Sequence, residues 1–381
     1  MRGNLFGNLP SGMHGGESEM RVAVIGLGTT GAHCAAQLRA AGHQVLTVAP
    51  GGAADATDMS QLGDPAAVAA WIIAAPAPTH LPLIRCLLRL DPAARILLEQ
   101  PACPPGDLPA LVGLLGAHPE ARILVNDVYA HSPAVHRFVQ VLRTTLESEP
   151  GDRIEHITLE FTKNRERDIA RGRFVDTQYG AVGYEWLHML AILRAIVPAS
   201  EYRTYLRTPP SLITAEMRVL VEGHPRLPDI ELYASTRGLV GFPRIACDAF
   251  TYPIARRRIG RGHIPYGSEL RYRFADVRLA SGSRVTLVFE PRFLTAHDYK
   301  NTHAVHVRDR HGHRTHLVTA NHLREALTTQ LATLTAAGDG SRTGGGRHPT
   351  GLRLPEHHHL AALACRPQAH DTTRLATAAT G

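Results

Sequence analysis

Lysine is nearly missing from this 381-residue chain. Of its 41 cationic residues only two, Lys163 and Lys300, are lysine, and the rest are arginine. Together with the many Ala, Gly and Pro residues, this is the bias expected of GC-rich coding. The net charge of +7 is therefore no sign, by itself, of a polyanionic partner. A nucleic-acid surface needs its cations clustered beside a recognisable motif. The densest cluster, Arg256-Arg257-Arg258-Ile259-Gly260-Arg261, has no helix-turn-helix, finger or aromatic RNA-binding pattern next to it. It reads as a solvated loop, with contact to a phosphorylated or carboxylated substrate as the alternative. Nucleic acid is disfavoured as a partner.

Cysteine is scarce too. Five residues (Cys34, Cys86, Cys103, Cys247, Cys365) are scattered, odd in number and without a C-x-x-C pair. That argues against a disulfide framework and against a zinc site. The longest strongly apolar stretch, Ala66 to Ala77, falls far short of the roughly 20 residues of a membrane span. The first twenty residues lack the apolar core of a secretion signal. These absences point to a cytoplasmic protein with no membrane partner. The 44% hydrophobic and 20% charged content is that of an ordinary globular chain, long enough for two domains.

The β-branched run Arg21-Val22-Ala23-Val24-Ile25 suits a fully buried parallel strand. It leads into Gly26-Leu27-Gly28-Thr29-Thr30-Gly31, then a helical segment from Ala32 to Ala41 and a second strand from Gln44 to Val48. This is G-x-G-x-x-G between a strand and a helix, the setting in which the motif binds dinucleotides. Gly26 permits the tight turn, Gly28 lets the backbone approach a pyrophosphate, and Gly31 allows close helix–strand packing. The phosphates are expected at the helix N-terminus, so Gly26, Leu27, Gly28, Thr29, Thr30 and Gly31 form the expected cofactor cradle. No acid stands at the end of the second strand, where Val48-Ala49-Pro50-Gly51-Gly52 is found. The cofactor is therefore NAD or NADP with a slight lean to NADP; Asp55 could reach back, or be merely solvated.

Further strands are read at Ala69–Pro76, Arg95–Pro101 and Ala121–Asn126, with helices at Thr79–Leu90 and Pro133–Leu146. From Ile154 onward longer alternating strands take over. They are Glu231–Arg237, Glu269–Leu279, Arg284–Phe289, His303–Asp309 and His316–Ala320, with helices at Tyr184–Ile196 and Leu323–Ala336. The fold class is α/β. An N-terminal Rossmann-type, doubly wound parallel sheet is joined to a C-terminal α+β domain with an open, mainly antiparallel sheet. The expected divisions are a leader (1–19), a dinucleotide-binding domain (20–150), a substrate and oligomerisation domain (151–366) with a flexible loop at 337–350, and a frayed tail (367–381). Five histidines (His303, His306, His311, His313, His316) fall in one stretch, but Asp309-Arg310-His311-Gly312 reads as a hairpin turn on a half-exposed sheet, so no metal is expected. His357-His358-His359 is read as opening a helix.

The glycine fingerprint, Ala74-Ala75-Pro76 to His80, Glu99-Gln100-Pro101 and Asn126…Tyr129…Ser132-Pro133-Ala134 together resemble the Gfo/Idh/MocA oxidoreductases, from about Met20 to Leu363. The resemblance implies hydride transfer between a nicotinamide cofactor and a sugar, cyclitol or related polyol, in a homodimer or homotetramer. It places Pro76, His80, Glu99 and Gln100 beside the cofactor. The family tripeptide is Glu-Lys-Pro, and its lysine contacts substrate and nicotinamide. Gln100 stands there instead and can hydrogen-bond but not exchange a proton. A second family motif, Gly-x-His-x-x-Asp, is similar to Gly183-Tyr184-Glu185-Trp186-Leu187-His188, with Glu185 at the His place and His188 at the Asp place.

Three-residue spacing sets those two on one helix face. Glu185 is expected to orient His188 and raise its pKa toward working pH, making His188 the general acid/base. Lys163 is expected either to supply the charge lost at Gln100 or to end its strand in solvent. Tyr179 could donate a proton or simply pack. Asn164, Arg165, Asp168, Arg171, Arg173 and Asp176 form a polar segment that could touch substrate. The alternative function is a redox-inactive relative acting as a binding subunit or catalysing a non-redox step, because of Gln100.

Overall fold

A computed structural model describes residues 19–51, 53–171, 179, 182–214, 217–292, 301–336 and 350–365. The leader up to 18, Arg173, Asp176, most of the loop 337–350 and the tail lie outside the described residues. Five strands form the first sheet: β1 (Arg21–Ile25), β2 (Gln44–Val48), β3 (Ala70–Ile73), β4 (Arg95–Leu98) and β5 (Arg122–Val125). All pairings are parallel in the order β2-β1-β3-β4-β5. The order reverses between β1 and β3, so a crevice opens at the carboxyl ends of these strands.

Strand periodicity explains the layering. On β1, Val22 and Val24 face one core, while Ala23 and Ile25 face the other. Helices α2 (His80–Leu90) and α3 (Leu108–Ala117) fill one side with Ile84, Leu87, Leu111 and Leu115. Helix α1 (Thr29–Ala40) covers the opposite side, but not alone. There Leu327, Leu331 and Leu334 arrive from α9 (His322–Thr335), nearly three hundred residues later. Leu352 completes the α2/α3 side. Helix α1 starts at Thr29 and not at Ala32, because Gly28 is already the extended residue before it.

The second sheet has eight strands in the order β13-β12-β11-β10-β6-β9-β8-β7. They are β6 (Ile154–Lys163), β7 (Leu212–Ile213), β8 (Arg218–Val221), β9 (Asp229–Ser235), β10 (Arg271–Leu279), β11 (Arg284–Phe289), β12 (Thr302–Asp309) and β13 (Gly312–Thr319). Only β6 and β9 pair in parallel. Alternation on β10 sends Ala275, Val277 and Leu279 toward α4 (Pro133–Ser148) and α6 (Val182–Ile196), and Tyr272 and Phe274 into a smaller core under residues 240–264. Helix α4 begins where Ser132 Oγ accepts the Val135 N–H and Pro133 takes the first helical position.

One local expectation is corrected. Arg256–Gly260 is not a loop but belongs to helix α8 (Pro253–Gly260). Pro253 opens it, and Ala255 and Ile259, four apart, anchor it in the small core. Helices α5 (Glu166–Ala170), α7 (Ala199–Arg207) and α10 (Leu354–Ala364) complete the elements used below. Among the described residues no helix is long and apolar enough to cross a membrane.

The C-terminal segment is thus structural material of the first sheet. Leu352 is fully buried there, so Leu352→Ala should cost about 2–5 kcal/mol in a urea denaturation series. A cost under about 0.5 kcal/mol, the scale of surface substitutions, would contradict this packing.

Candidate active site

The cradle is built by close approach. A Cβ at Gly31 would lie 1.8 Å from the Gly26 carbonyl oxygen, so only glycine lets α1 sit this near β1. Gly26, at φ +90°, turns against the backbone of Ala74 and Ala75. Gly28 differs from both. Its φ of −63° suits any residue, and a Cβ there would meet no protein atom within 4 Å. The space beside it opens onto the N-terminus of α1, which has no side-chain cap and no acid in its first turn. Free N–H groups, the positive end of the dipole and an open surface fit a pyrophosphate. Leu27, Thr29 and Thr30 belong to the same turn in sequence, and Pro76 directly follows the Ala74-Ala75 backbone against which Gly26 turns.

At the ribose end the acid is absent, as the sequence indicates. Asp55 does reach back, yet its carboxylate accepts from Thr47 N (2.8 Å) and Thr47 Oγ1 (2.7 Å) on the edge of β2. These bonds hold its pKa low.

The carboxyl ends of β4 and β5 carry Glu99, Gln100 and Asn126. A chain of amides orients them. Gln330 Oε1 accepts the Asp127 backbone N–H at 2.9 Å, which fixes its amide as the donor to Asn126 Oδ1. Asn126 Nδ2 must then donate to Glu99 Oε2, at 3.0 Å. Burial raises the Glu99 pKa, and the Asn126 bond opposes it. Gln100 Nε2 lies 3.0 Å from both ring nitrogens of His188, so it lies along neither lone pair. Gln100 precedes Pro101 through a cis peptide bond.

The following loop is clamped. His80, expected at the cofactor, is instead 1% exposed and turns both ring nitrogens to backbone carbonyls, Ala75 O (2.8 Å) and Ala102 O (3.1 Å). Tyr179 Oη donates to Cys103 O at 2.9 Å. Its proton is engaged in packing this loop, the second of the two readings open for Tyr179, and not in the site.

The pairing of Glu185 with His188 is corrected as well. Glu185, 2% exposed, sits between two guanidiniums: Arg165 Nη2 at 2.6 Å, and Arg273 Nη2 at 2.7 and 2.8 Å from its two oxygens. Despite its burial, these cations hold its pKa down at about 2. His188 moves the opposite way from the expectation. Burial lowers its pKa to about 4, outweighing the upward pull of Glu185, and Arg273 adds to the lowering. At neutral pH His188 is uncharged.

Lys163 is not solvated and is not turned to Gln100. Its Nζ, on a side chain only 4% exposed, is held by Asp168 (3.2 Å) and Glu269 (3.5 Å). Desolvation lowers its pKa, and Arg165 and Arg271 add to that. In the polar segment, Asn164 bonds to the carbonyls of Arg237 and Ile264, and Arg165 bridges Glu185 and Asp168. Arg171 is exposed.

Two residues join the site without having been given a role from sequence: Tyr129, quoted only within the family stretch, and Arg273. Tyr129 packs edge-on to His188, with centroids 4.8 Å apart, and stacks on His322 at 5.7 Å. Its oxygen accepts from Arg273 Nη1 at 3.2 Å, and burial raises its pKa. Arg273 lies over Phe161 at 5.1 Å. A sequence signal existed for Arg273, since it falls in the buried phase of β10 with Ala275 and Val277, where an arginine requires an internal partner. Beside them, Ser132 Oγ lies 2.6 Å from His322 Nδ1, and His322 Nε2 3.4 Å from His303. Of the β12–β13 histidines, only His306 and His313 meet, at 3.1 Å.

No known family model matches this chain, and no curated protein matches it. Solved structures share its fold. KijD10, a 3-ketoreductase from Actinomadura kijaniata in complex with NADP and TDP-benzene, is 12% identical with a TM-score of 0.58, covering 91% of this chain and 96% of that one. GenD2 from gentamicin A biosynthesis, in complex with NAD, is 14% identical with a TM-score of 0.56, covering 94% and 95%. UDP-N-acetylglucosamine 3-dehydrogenase GnnA from Acidithiobacillus ferrooxidans is 14% identical with a TM-score of 0.53, covering 91% and 96%. A parallel nucleotide-type sheet joined to an open, mainly antiparallel sheet is the common architecture.

Buried neutral histidines make stability depend on pH. His188 and His303 have pKa values lowered to about 4, and His322 to about 2, against about 6.5 in the unfolded chain. Their stabilisation is complete above about pH 6.5 and is lost as pH falls, since the unfolded state takes up protons that the folded state excludes. Each histidine contributes about 1.4 kcal/mol per pH unit over that gap. Thermal melts should fall clearly between pH 7 and pH 5; a flat midpoint across that range would refute the assignment.

Proposed function

We propose that the protein is a nicotinamide-dependent oxidoreductase moving a hydride to or from a secondary alcohol or ketone of a sugar, cyclitol or related polyol. The observation that carries this reading is Gly28. It stands in open space at an uncapped helix N-terminus, on the same strand-end crevice as Gln100 and His188. A nicotinamide dinucleotide held there supplies or accepts the hydride. The α1 amides hold the phosphates, and Gln100 offers an amide to a hydroxyl or carbonyl. His188, neutral at working pH, polarises a substrate oxygen through its N–H without carrying charge. Tyr129 accepts from Arg273 and so keeps its own proton to donate. Without an acid at the end of β2, NADP is the preferred cofactor.

KijD10 with TDP-benzene and GnnA with its UDP-sugar name place nucleotide-linked sugars first in a substrate screen. A cytoplasmic setting and a homo-oligomer belong to the same reading. A second reading is favoured by one contact set. Gln100 cannot exchange a proton, and Glu185 is committed to Arg165 and Arg273, so a redox-silent binding subunit or a non-redox catalyst fits the same fold.

Fluorescence titration with NADH and NADPH decides first: micromolar binding, tighter for NADPH, is expected, and no binding at millimolar concentration overturns the reading. Gly28→Ala should weaken that binding about tenfold or more with the melting temperature unchanged, whereas Gly31→Ala should destabilise the fold by about 1–3 kcal/mol or more. His188→Ala should lose turnover while retaining cofactor, and in the wild type no kcat/KM inflection from His188 should appear between pH 5 and 8. Gln100→Lys separates the two readings. A gain of alcohol oxidation marks a decayed dehydrogenase, and a loss of native activity marks Gln100 as a working residue.

A further inference from the structure

The buried residues of α10 are committed one by one to other parts of the fold. Glu356 Oε1 accepts from Arg194 (2.8 Å) and Tyr202 (3.2 Å), and His359 Nδ1 meets Leu206 O at 3.1 Å. Between them, His357 is fully buried and makes two bonds whose directions are fixed by their partners. The Ala102 backbone N–H can only donate, so His357 Nε2, at 2.9 Å, is the acceptor and carries no hydrogen. The Arg353 carbonyl can only accept, so His357 Nδ1, also at 2.9 Å, carries the ring's one proton. The imidazole is neutral and locked in the Nδ1–H tautomer.

Ala102 lies two residues beyond Gln100, in the loop also gripped by His80 at Ala102 O and by Tyr179 at Cys103 O. Ala102 and Cys103 are both completely buried, so water cannot reach a lost partner there unless the loop moves. A buried N–H left without an acceptor shifts its backbone or admits water, and either outcome moves what the loop carries. That is the Gln100 amide, poised against His188. Arg353, the other end of the bridge, is itself tied to Asp127 at 3.2 Å, directly after Asn126 at the end of β5.

We propose that His357 is a positioning residue for Gln100: its neutral Nδ1–H imidazole bridges the start of α10 to the Ala102 amide and so sets the loop that presents the Gln100 side chain to the reaction site. The catalytic part rests on the reading of Gln100 and His188 as reactive-site residues; the bridge itself does not. It gives the His-His-His run a purpose that differs residue by residue, since His358 between the two buried histidines is exposed.

The test uses the full chain. Selective 15N-histidine labelling with long-range 15N–1H correlation on the wild type should show a histidine in the Nδ1–H form that persists across neutral pH and disappears in His357→Gln, while the Nδ1–H signal of His359, which faces the Leu206 carbonyl, remains. A His357 signal in the Nε2–H form overturns the bridge without any functional assay. Three substitutions then divide its two bonds. His357→Asn retains a group near Nδ1 but cannot reach Ala102, His357→Gln restores an acceptor near Nε2, and His358→Asn is the neighbouring control. In His357→Asn, hydrogen exchange at the Ala102 amide should accelerate about tenfold or more. Its kcat should fall by a similar factor, while the dinucleotide Kd stays within about twofold. His357→Gln should recover most of both effects, and His358→Asn should match the wild type. Unchanged exchange in His357→Asn, or a Gln variant no better than the Asn variant, overturns the proposal. If His357→Asn fails to fold, the wild-type tautomer and the Gln variant decide. If the wild type binds no dinucleotide, the oxidoreductase reading falls, and tautomer and exchange still decide the bridge.

Discussion

A carboxylate removed from water needs counter-charges in contact with it, and the second sheet of this protein is arranged to supply them to Glu185. Burying such an ion alone costs several kcal/mol. Arg165, just past the end of β6, and Arg273, on β10, close on it from two strands and thereby pin α6 to the sheet. The remaining donors of the two arginines shape the surroundings. Arg273 passes on to Tyr129 and lies over Phe161, and Arg165 passes on to Asp168, which also binds Lys163. Removing Glu185 would leave the Arg273 guanidinium buried without its carboxylate, the kind of one-sided break that costs about 3–5 kcal/mol.

That arrangement decides what the neighbouring histidine can do. Glu185 pulls His188 toward protonation, but its charge is already neutralised twice over, and burial pushes the other way. The outcome is an uncharged imidazole next to an uncharged amide. With Lys163 engaged elsewhere, the groups that contact one another across the crevice, Gln100, His188 and Tyr129, are all neutral at pH 7. Such a set polarises and donates hydrogen bonds more readily than it accepts a proton outright.

Local patterns carried much of this into the sequence. The β-branched run at 21–25 and the glycines at 26, 28 and 31 identify a nucleotide-type sheet because each residue there answers to its immediate neighbours. Alternation in 269–289 likewise gave β10 and β11. The failures share a cause. His80 and Tyr179 lie where a cofactor or proton-donor role was expected, but their partners, the carbonyls of Ala75, Ala102 and Cys103, are backbone atoms that no residue pattern records. Glu185 and His188 do share a helix, but the arginine that overrides their pairing, Arg273, is 88 residues further on. Helix α8 was hidden by its own arginines, which mask the Ala255–Ile259 spacing that anchors it.

The same long-range dependence bears on where the nucleotide-binding unit ends. A division near residue 150 follows the change from βα alternation to long strands, yet the carboxyl-end edge of the first sheet is finished by residues from the other end of the chain. Gln330 orients Asn126 and through it Glu99; His357 holds Ala102; Leu327, Leu331 and Leu352 fill both faces. Backbone N–H groups begin both polar chains, at Asp127 and at Ala102, and an N–H has only one direction to offer. Each side chain that follows therefore has a single satisfied orientation. The amide and carboxylate at the ends of β4 and β5 are set in this way by the two helices that come last in the described chain. The strands of the first sheet therefore do not by themselves orient the polar groups at their carboxyl ends; α9 and α10 do so.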